Sequence, residues 1–123
     1  MIGERDLAWI LERIVALYDP DSIYLFGSYG KGTATAHSDL DLVIVKATDL
    51  PRRLRGRDVT AVLAEMAFAF DLLFVTPEEL AAELEDPYSL LATIIPTAKQ
   101  VYRRVPGASL EQCVVGLPWP ARG

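Results

Sequence analysis

Two aspartates, Asp39 and Asp41, stand two positions apart at the mouth of the apolar run Leu42 to Val45. On a strand that spacing sends both carboxylates to one face, with roughly 7 Å between their α-carbons. Neighbouring anions either raise each other's pKa or collect a cation, and paired carboxylates with substrate phosphates are the usual way of holding Mg²⁺. A third acid, Asp71, opens the apolar run Leu72 to Val75 and reaches the same cluster if that run lies beside the first. Three carboxylates could hold two metals about 4 Å apart, one activating an attacking hydroxyl and one neutralising a leaving pyrophosphate.

Upstream, Gly27 ends a short apolar run and lets backbone approach a ligand closely, while Ser28 offers a hydroxyl and an N–H where a helix can begin. That is a place for phosphate. Gly30 and Gly32 permit turn conformations closed to other residues, with Lys31 between them as a point charge for a triphosphate. The glycines alone would be an ordinary turn. Joined to Ser38-Asp39-Leu40-Asp41 entering a strand, and to an acid heading a third, they have few purely structural explanations.

Gly27-Ser28 with Gly32 and Ser38-Asp39-Leu40-Asp41 resembles the signature of the polymerase-β-like nucleotidyltransferase superfamily, and within it the minimal nucleotidyltransferases. The resemblance covers roughly Asp6 to Arg104. It implies an α/β (α+β) fold with a small mixed sheet flanked by helices, Mg²⁺ as cofactor with two ions, and ATP or another nucleoside triphosphate as donor. Nucleotide-binding residues would be Gly27, Ser28, Lys31 and Ser38; Asp39, Asp41 and Asp71 would be catalytic and metal-binding, with Asp71 also the base for the acceptor hydroxyl. Minimal nucleotidyltransferases are often paired with a small helical HEPN-type RNase toxin, which they neutralise by binding or by transferring AMP to a tyrosine. The resemblance thus implies an adenylyltransferase antitoxin. Two other readings stay open: a catalytically silent binding module of the same fold, and a stand-alone homodimeric enzyme acting on a small hydroxylated acceptor.

The elements that position these residues follow from periodicity. Leu7, Ile10, Leu11, Ile14, Val15 and Tyr18 repeat at three and four, an amphipathic helix over Asp6 to Tyr18 stopped by Asp19-Pro20. Ile23 to Phe26 reads as a buried strand, and Asp39 to Val45 as a second. Val59, Val62, Leu63, Met66, Ala67 and Phe70 predict a helix crossing back to a third strand, Asp71 to Thr76. Thr76-Pro77-Glu78-Glu79 is a helix start, with Thr as cap and Pro in the first turn. Short helices through Leu84 and Ser89 to Ile95 lead to a last edge strand, Gln100 to Arg104. Residues 1–105 form the expected domain, and 106–123, rich in Pro, Gly and Ala around Trp119, a loosely held tail.

At 123 residues the chain fits one domain, and 51% hydrophobic with 24% charged residues is a globular composition that needs no disulfide staple. No stretch approaches the roughly 18 apolar residues of a membrane span. The lone Cys113 and the absence of a signal-like opening point to a reducing cytoplasm. A net charge of −5 argues against direct nucleic-acid binding. The run Arg52, Arg53, Arg55 and Arg57 reads as a solvated helix entry, with a phosphate-bearing ligand or acidic partner as the second reading. His37, the single histidine, has no partner to orient it and reads as a loop residue; Cys113 reads as incidental. Trp9, Phe68, Phe70 and Phe74 fall on core stripes, while Tyr29 could either touch a nucleobase or cover the glycine loop.

Overall fold

The stripe Leu7, Ile10, Leu11, Ile14 winds into helix α1, Glu4–Tyr18, whose first turn is closed by Asp6 accepting the Gly3 N–H. Its apolar side lies on a four-stranded sheet of order β3-β2-β1-β4 in the computed structural model, which describes residues 2–116. Strand β1, Ser22–Phe26, is antiparallel to β2, Leu40–Val45, and to β4, Lys99–Arg103, whereas β3, Phe70–Val75, runs parallel to β2. The sheet is therefore mixed, and the α+β architecture expected from the sequence is the one observed. Parallel neighbours require a crossover, supplied by helix α3, Arg57–Leu63, which packs beside α1.

Strand alternation gives β2 two different faces. Leu40, Leu42 and Ile44, with Ile23 and Leu25 of β1, meet Ile10, Leu11 and Ile14 of α1 and Val59 and Leu63 of α3. Val43 and Val45, with Val75 of β3, point to the opposite side, where helices α4, Pro77–Glu85, and α5, Leu90–Ile94, cover them with Leu80, Leu91 and Ile94. Asp41 shares the parity of Val43 and Val45, so it belongs to the second face.

Two expectations change. The helix read through Phe70 ends at Leu63, and Phe70 is the first residue of β3. The Leu40 N–H bonds to the Ala69 carbonyl at 2.9 Å, so pairing with β2 extends the chain while Met66 and Phe68 still pack on the core. Ordered structure also continues past the expected boundary at 105. Helix α6, Leu110–Cys113, buries Cys113, and Val114 and Val115 bond back to the outer edge of β4. The part of the tail around Trp119 lies outside the described residues.

The arginine run is a solvated helix entry at Arg52, Arg53 and Arg57, which are exposed, but not at Arg55. Arg52–Leu54 forms a 3₁₀ turn, and the Arg55 side chain, 6% exposed, donates to the Leu50 and Phe74 carbonyls and to both oxygens of Glu79. Arg52 adds contacts to Glu79 and Glu83 at 3.5 Å, so the loop after β2 is tied to the first turns of α4. Glu79 also completes the α4 capping box with Thr76. Its carboxyl is held at about 2 against an ordinary 4.5, first by the Arg55 hydrogen bond and then by the Thr76 N–H. A carboxyl that binds its proton less tightly when folded stabilises the fold above its unfolded pKa and loses that contribution as pH falls. Glu79→Gln should therefore flatten the decline in stability between pH 4.5 and about 2. At pH 7 it should cost about 2 kcal/mol, less than a fully buried pair because Glu79 is partly open to water. Urea midpoints measured across pH check both effects.

Candidate active site

Strand β1 ends at Phe26, opposite Asp41 in register, and the chain turns at once into α2, Gly27–Lys31. The turn brings Gly27 against the Asp41 carboxylate: a Cβ there would overlap Asp41 Oδ2, and the φ of 68° lies in the left-handed region. Only glycine meets both demands. Gly30 is glycine for a reason the sequence did not disclose, since its φ is ordinary but a Cβ would stand 2.7 Å from the Leu25 carbonyl oxygen. Gly32, by contrast, caps α2 at φ 75° in open space, as a turn reading expects.

Ser28 leaves its hydroxyl without a hydrogen bond among the described residues, while its carbonyl accepts the Thr33 N–H at 2.9 Å. Lys31 is exposed at the last position of α2. Ser38 closes the loop ahead of β2: its Oγ accepts the Thr35 N–H at 2.9 Å, and its own N–H bonds to the Thr35 carbonyl. His37 is exposed on that loop and its backbone N–H bonds to Thr35 Oγ1. Tyr29 packs on the core, and its hydroxyl accepts the Ile2 N–H at 2.9 Å, so it ties the glycine turn to the chain's start.

Asp41 and Asp71 are partners in the parallel β2–β3 register, which puts their side chains on the same face, and Asp39 lies one pleat earlier. Asp39 and Asp71 are exposed, and Asp41 is half-buried. The Asp41 carboxyl is raised above its ordinary 3.8, by burial first, then by the charge of Asp71, then by that of Asp39. None of the three pairs with a basic side chain among the described residues. Nor, among those residues, do three acidic, histidine or cysteine side chains converge on one point as a metal's ligands. The acids share a face and feel each other's charge without closing together, as like charges do. A hard, all-oxygen donor set with no counter-charge of its own suits a divalent cation such as Mg²⁺.

A model of the nucleotidyltransferase domain family matches residues 7–95, a span that holds the Gly27-Ser28 turn and all three acids. The chain belongs to that family. The chain is 33% identical over 89 residues to a Methanocaldococcus jannaschii protein provisionally assigned as a protein adenylyltransferase; the match covers 68% of this chain and 58% of the relative. The chain thus spans less than two thirds of that relative's length. In fold it is similar to a provisionally assigned nucleotidyltransferase from Sulfolobus solfataricus, with TM-score 0.60 and 17% identity over 90% of this chain and 84% of that one. It is also similar to a chain of a toxin–antitoxin structure with AMP-PNP, at TM-score 0.54 and 22% identity, covering 79% of this chain and 73% of the other. A chain from a variant of the toxin–antitoxin MntA-HpeT gives TM-score 0.53 and 23% identity, over 85% and 75% of the two chains. These likenesses bear on the fold.

The charge on Asp41 has a signed effect on stability. A carboxyl whose folded pKa is raised destabilises the fold once pH passes that pKa, because the folded state holds the proton more tightly. Asp41→Asn should therefore raise stability at pH 7 by a fraction of a kcal/mol, about 2 °C in Tm, in metal-free buffer. Asp71→Asn should bring the Asp41 titration, followed by carboxyl NMR, down toward 3.8. An unmoved titration would mean that the two acids do not share one field.

Proposed function

We propose that this nucleotidyltransferase moves a nucleoside monophosphate, AMP, from ATP to a hydroxyl on a partner protein. The observation that carries the reading is the set of three like-charged side chains, Asp39, Asp41 and Asp71, on one sheet face beside a glycine turn whose Ser28 hydroxyl is free. The similarity to a relative provisionally assigned as a protein adenylyltransferase supports AMP and a protein acceptor.

Asp39, Asp41 and Asp71 would hold Mg²⁺, two ions for three carboxylates, which supplies charge neutralisation at the triphosphate and lowers the pKa of the acceptor hydroxyl. Gly27 lets the backbone of the turn approach the phosphates, and Ser28 contributes its free hydroxyl; Lys31 is placed to add a positive charge. Ser38 acts through the loop, keeping Asp39 at the entrance of β2. Asp71, on the edge strand and open to solvent, takes the proton from the acceptor hydroxyl. The hydroxyl oxygen then bonds to the α-phosphorus, the bond from that phosphorus to the bridging oxygen breaks, and pyrophosphate leaves with the electron pair.

Toxin–antitoxin assemblies among the fold neighbours support the further reading that the partner is a toxin and this chain its antitoxin; a small helical HEPN-type toxin is the partner the sequence resemblance implies. The test is incubation of the purified protein with ATP labelled at the α-phosphate, Mg²⁺ and a lysate of its native cell. A labelled protein is expected. Replacing Asp39 and Asp41 with Asn should cut the label by about a hundredfold or more while the chain stays folded, since metal and charge stabilisation are worth several kcal/mol. Label on a small molecule would move the reading to a stand-alone enzyme, and no label from any nucleoside triphosphate would move it to a binding module.

A further inference from the structure

The elbow between α4 and α5 presents three large apolar side chains to water: Leu84, Tyr88 and Leu90 are 42%, 95% and 66% exposed. The charges that α4, the elbow and α5 themselves carry are all negative, and Arg52 and Arg55 meet this layer at Glu79 and Glu83. The sequence contains no Lys, Arg or His between Arg57 and Lys99, and Glu78, Glu85 and Asp86 flank the elbow without a basic partner among the described residues. Leu80, Leu91 and Ile94 turn inward to cover Val43, Val45 and Val75, so the exposed trio is not part of the core that α4 and α5 build. Both helices lie on the sheet face that carries Asp41. After α5 a 3₁₀ turn, Ile95–Thr97, returns the chain to the glycine turn, with the Thr97 carbonyl beside Gly30.

An apolar centre with an acidic rim selects its occupant. Nucleic acid and anionic membrane would meet like charge. A second copy using the same patch would set acid against acid across a two-fold axis. A protein with a basic, apolar surface meets both features, with Tyr88 the kind of exposed aromatic that anchors interfaces.

We propose that the Leu84, Tyr88 and Leu90 elbow, rimmed by Glu78, Glu85 and Asp86, is the docking surface for a basic partner protein, which it holds over the acid-bearing face of the sheet. That the docked protein is the acceptor rests on the transfer reading above; that it docks here does not.

The experiment places the photo-crosslinker p-benzoylphenylalanine at Tyr88, at Leu90 and, on the opposite layer, at Leu17, in the full chain expressed in its native cell. One basic protein should cross-link at the first two positions and not at the third. With that protein purified, Tyr88→Ala combined with Leu90→Ala should weaken binding about tenfold or more, leaving circular dichroism and ATP binding unchanged. Glu85→Lys should slow association at low salt. Cross-links to a second copy, to an acidic protein, to nucleic acid or to nothing, or an unchanged affinity in the double variant, would overturn the proposal. A basic partner that binds through Tyr88 and Leu90 but takes no label leaves this surface standing and removes the transfer reading; protein label unaffected by the double variant does the reverse.

Discussion

A half-buried carboxylate on an interior, largely apolar strand is the constraint from which most of this structure follows. Asp41 has β1 on one side and β3 on the other, and each neighbour has had to accommodate it. On the β1 side, residue 27 is glycine, since a Cβ there would displace the Asp41 carboxylate and the backbone is left-handed. On the β3 side the residue in register is another acid, Asp71, and among the described residues no basic side chain relieves the pair. Stability is given up at this point in the sheet. The hydrophobic layer of α1 and α3 beneath it, with Ile10, Leu11, Ile14, Leu40, Leu42 and Ile44 all fully buried, supplies the surplus that permits it.

How much of this could be read from residues alone varied with the kind of interaction involved. Local patterns were legible: the stripe of α1, the acids opening β2 and β3, and the Thr76 cap of α4 all appear where periodicity and capping chemistry put them. Non-local demands were not. The end of α3 at Leu63 depends on β3 pairing with β2, and an apolar stripe at helical spacing does not reveal where an extended strand takes over. Arg55 looked like one charge in a surface run; its burial depends on Glu79, which lies a strand and a crossover away. Gly30 was read for its conformational freedom, but the Leu25 carbonyl makes it a matter of space. Likewise Cys113 and Val114 show no sequence signal for joining the edge of β4, since a four-residue helix has too little pattern to detect.

For the candidate site, the placement of the acids was more legible than the circumstances of the residues around them. Asp39, Asp41 and Asp71 do come to one face, and the half-burial of Asp41 between two exposed acids gives it a different environment from theirs. Ser38, grouped with the phosphate-binding residues by its place in the motif, spends its hydroxyl on Thr35, and Tyr29 spends its own on Ile2. Both bonds hold the segments that flank the acids, so the loops on either side of the site are fixed by side chains that need not touch a ligand.

The alternation of β2 also bears on how the chain finds its register. The connection from β1 to β2 runs from Gly27 through Asp39 and is far too long to dictate pairing as a tight hairpin would. A slip of one residue would turn Asp39 and Asp41 under α1 and move Leu40 and Leu42 to the acid-bearing face. Two charges forced into that apolar layer without partners would make the slipped form far less stable than the native one. The same pair of acids therefore also fixes the register of β2, by disfavouring the misaligned sheet.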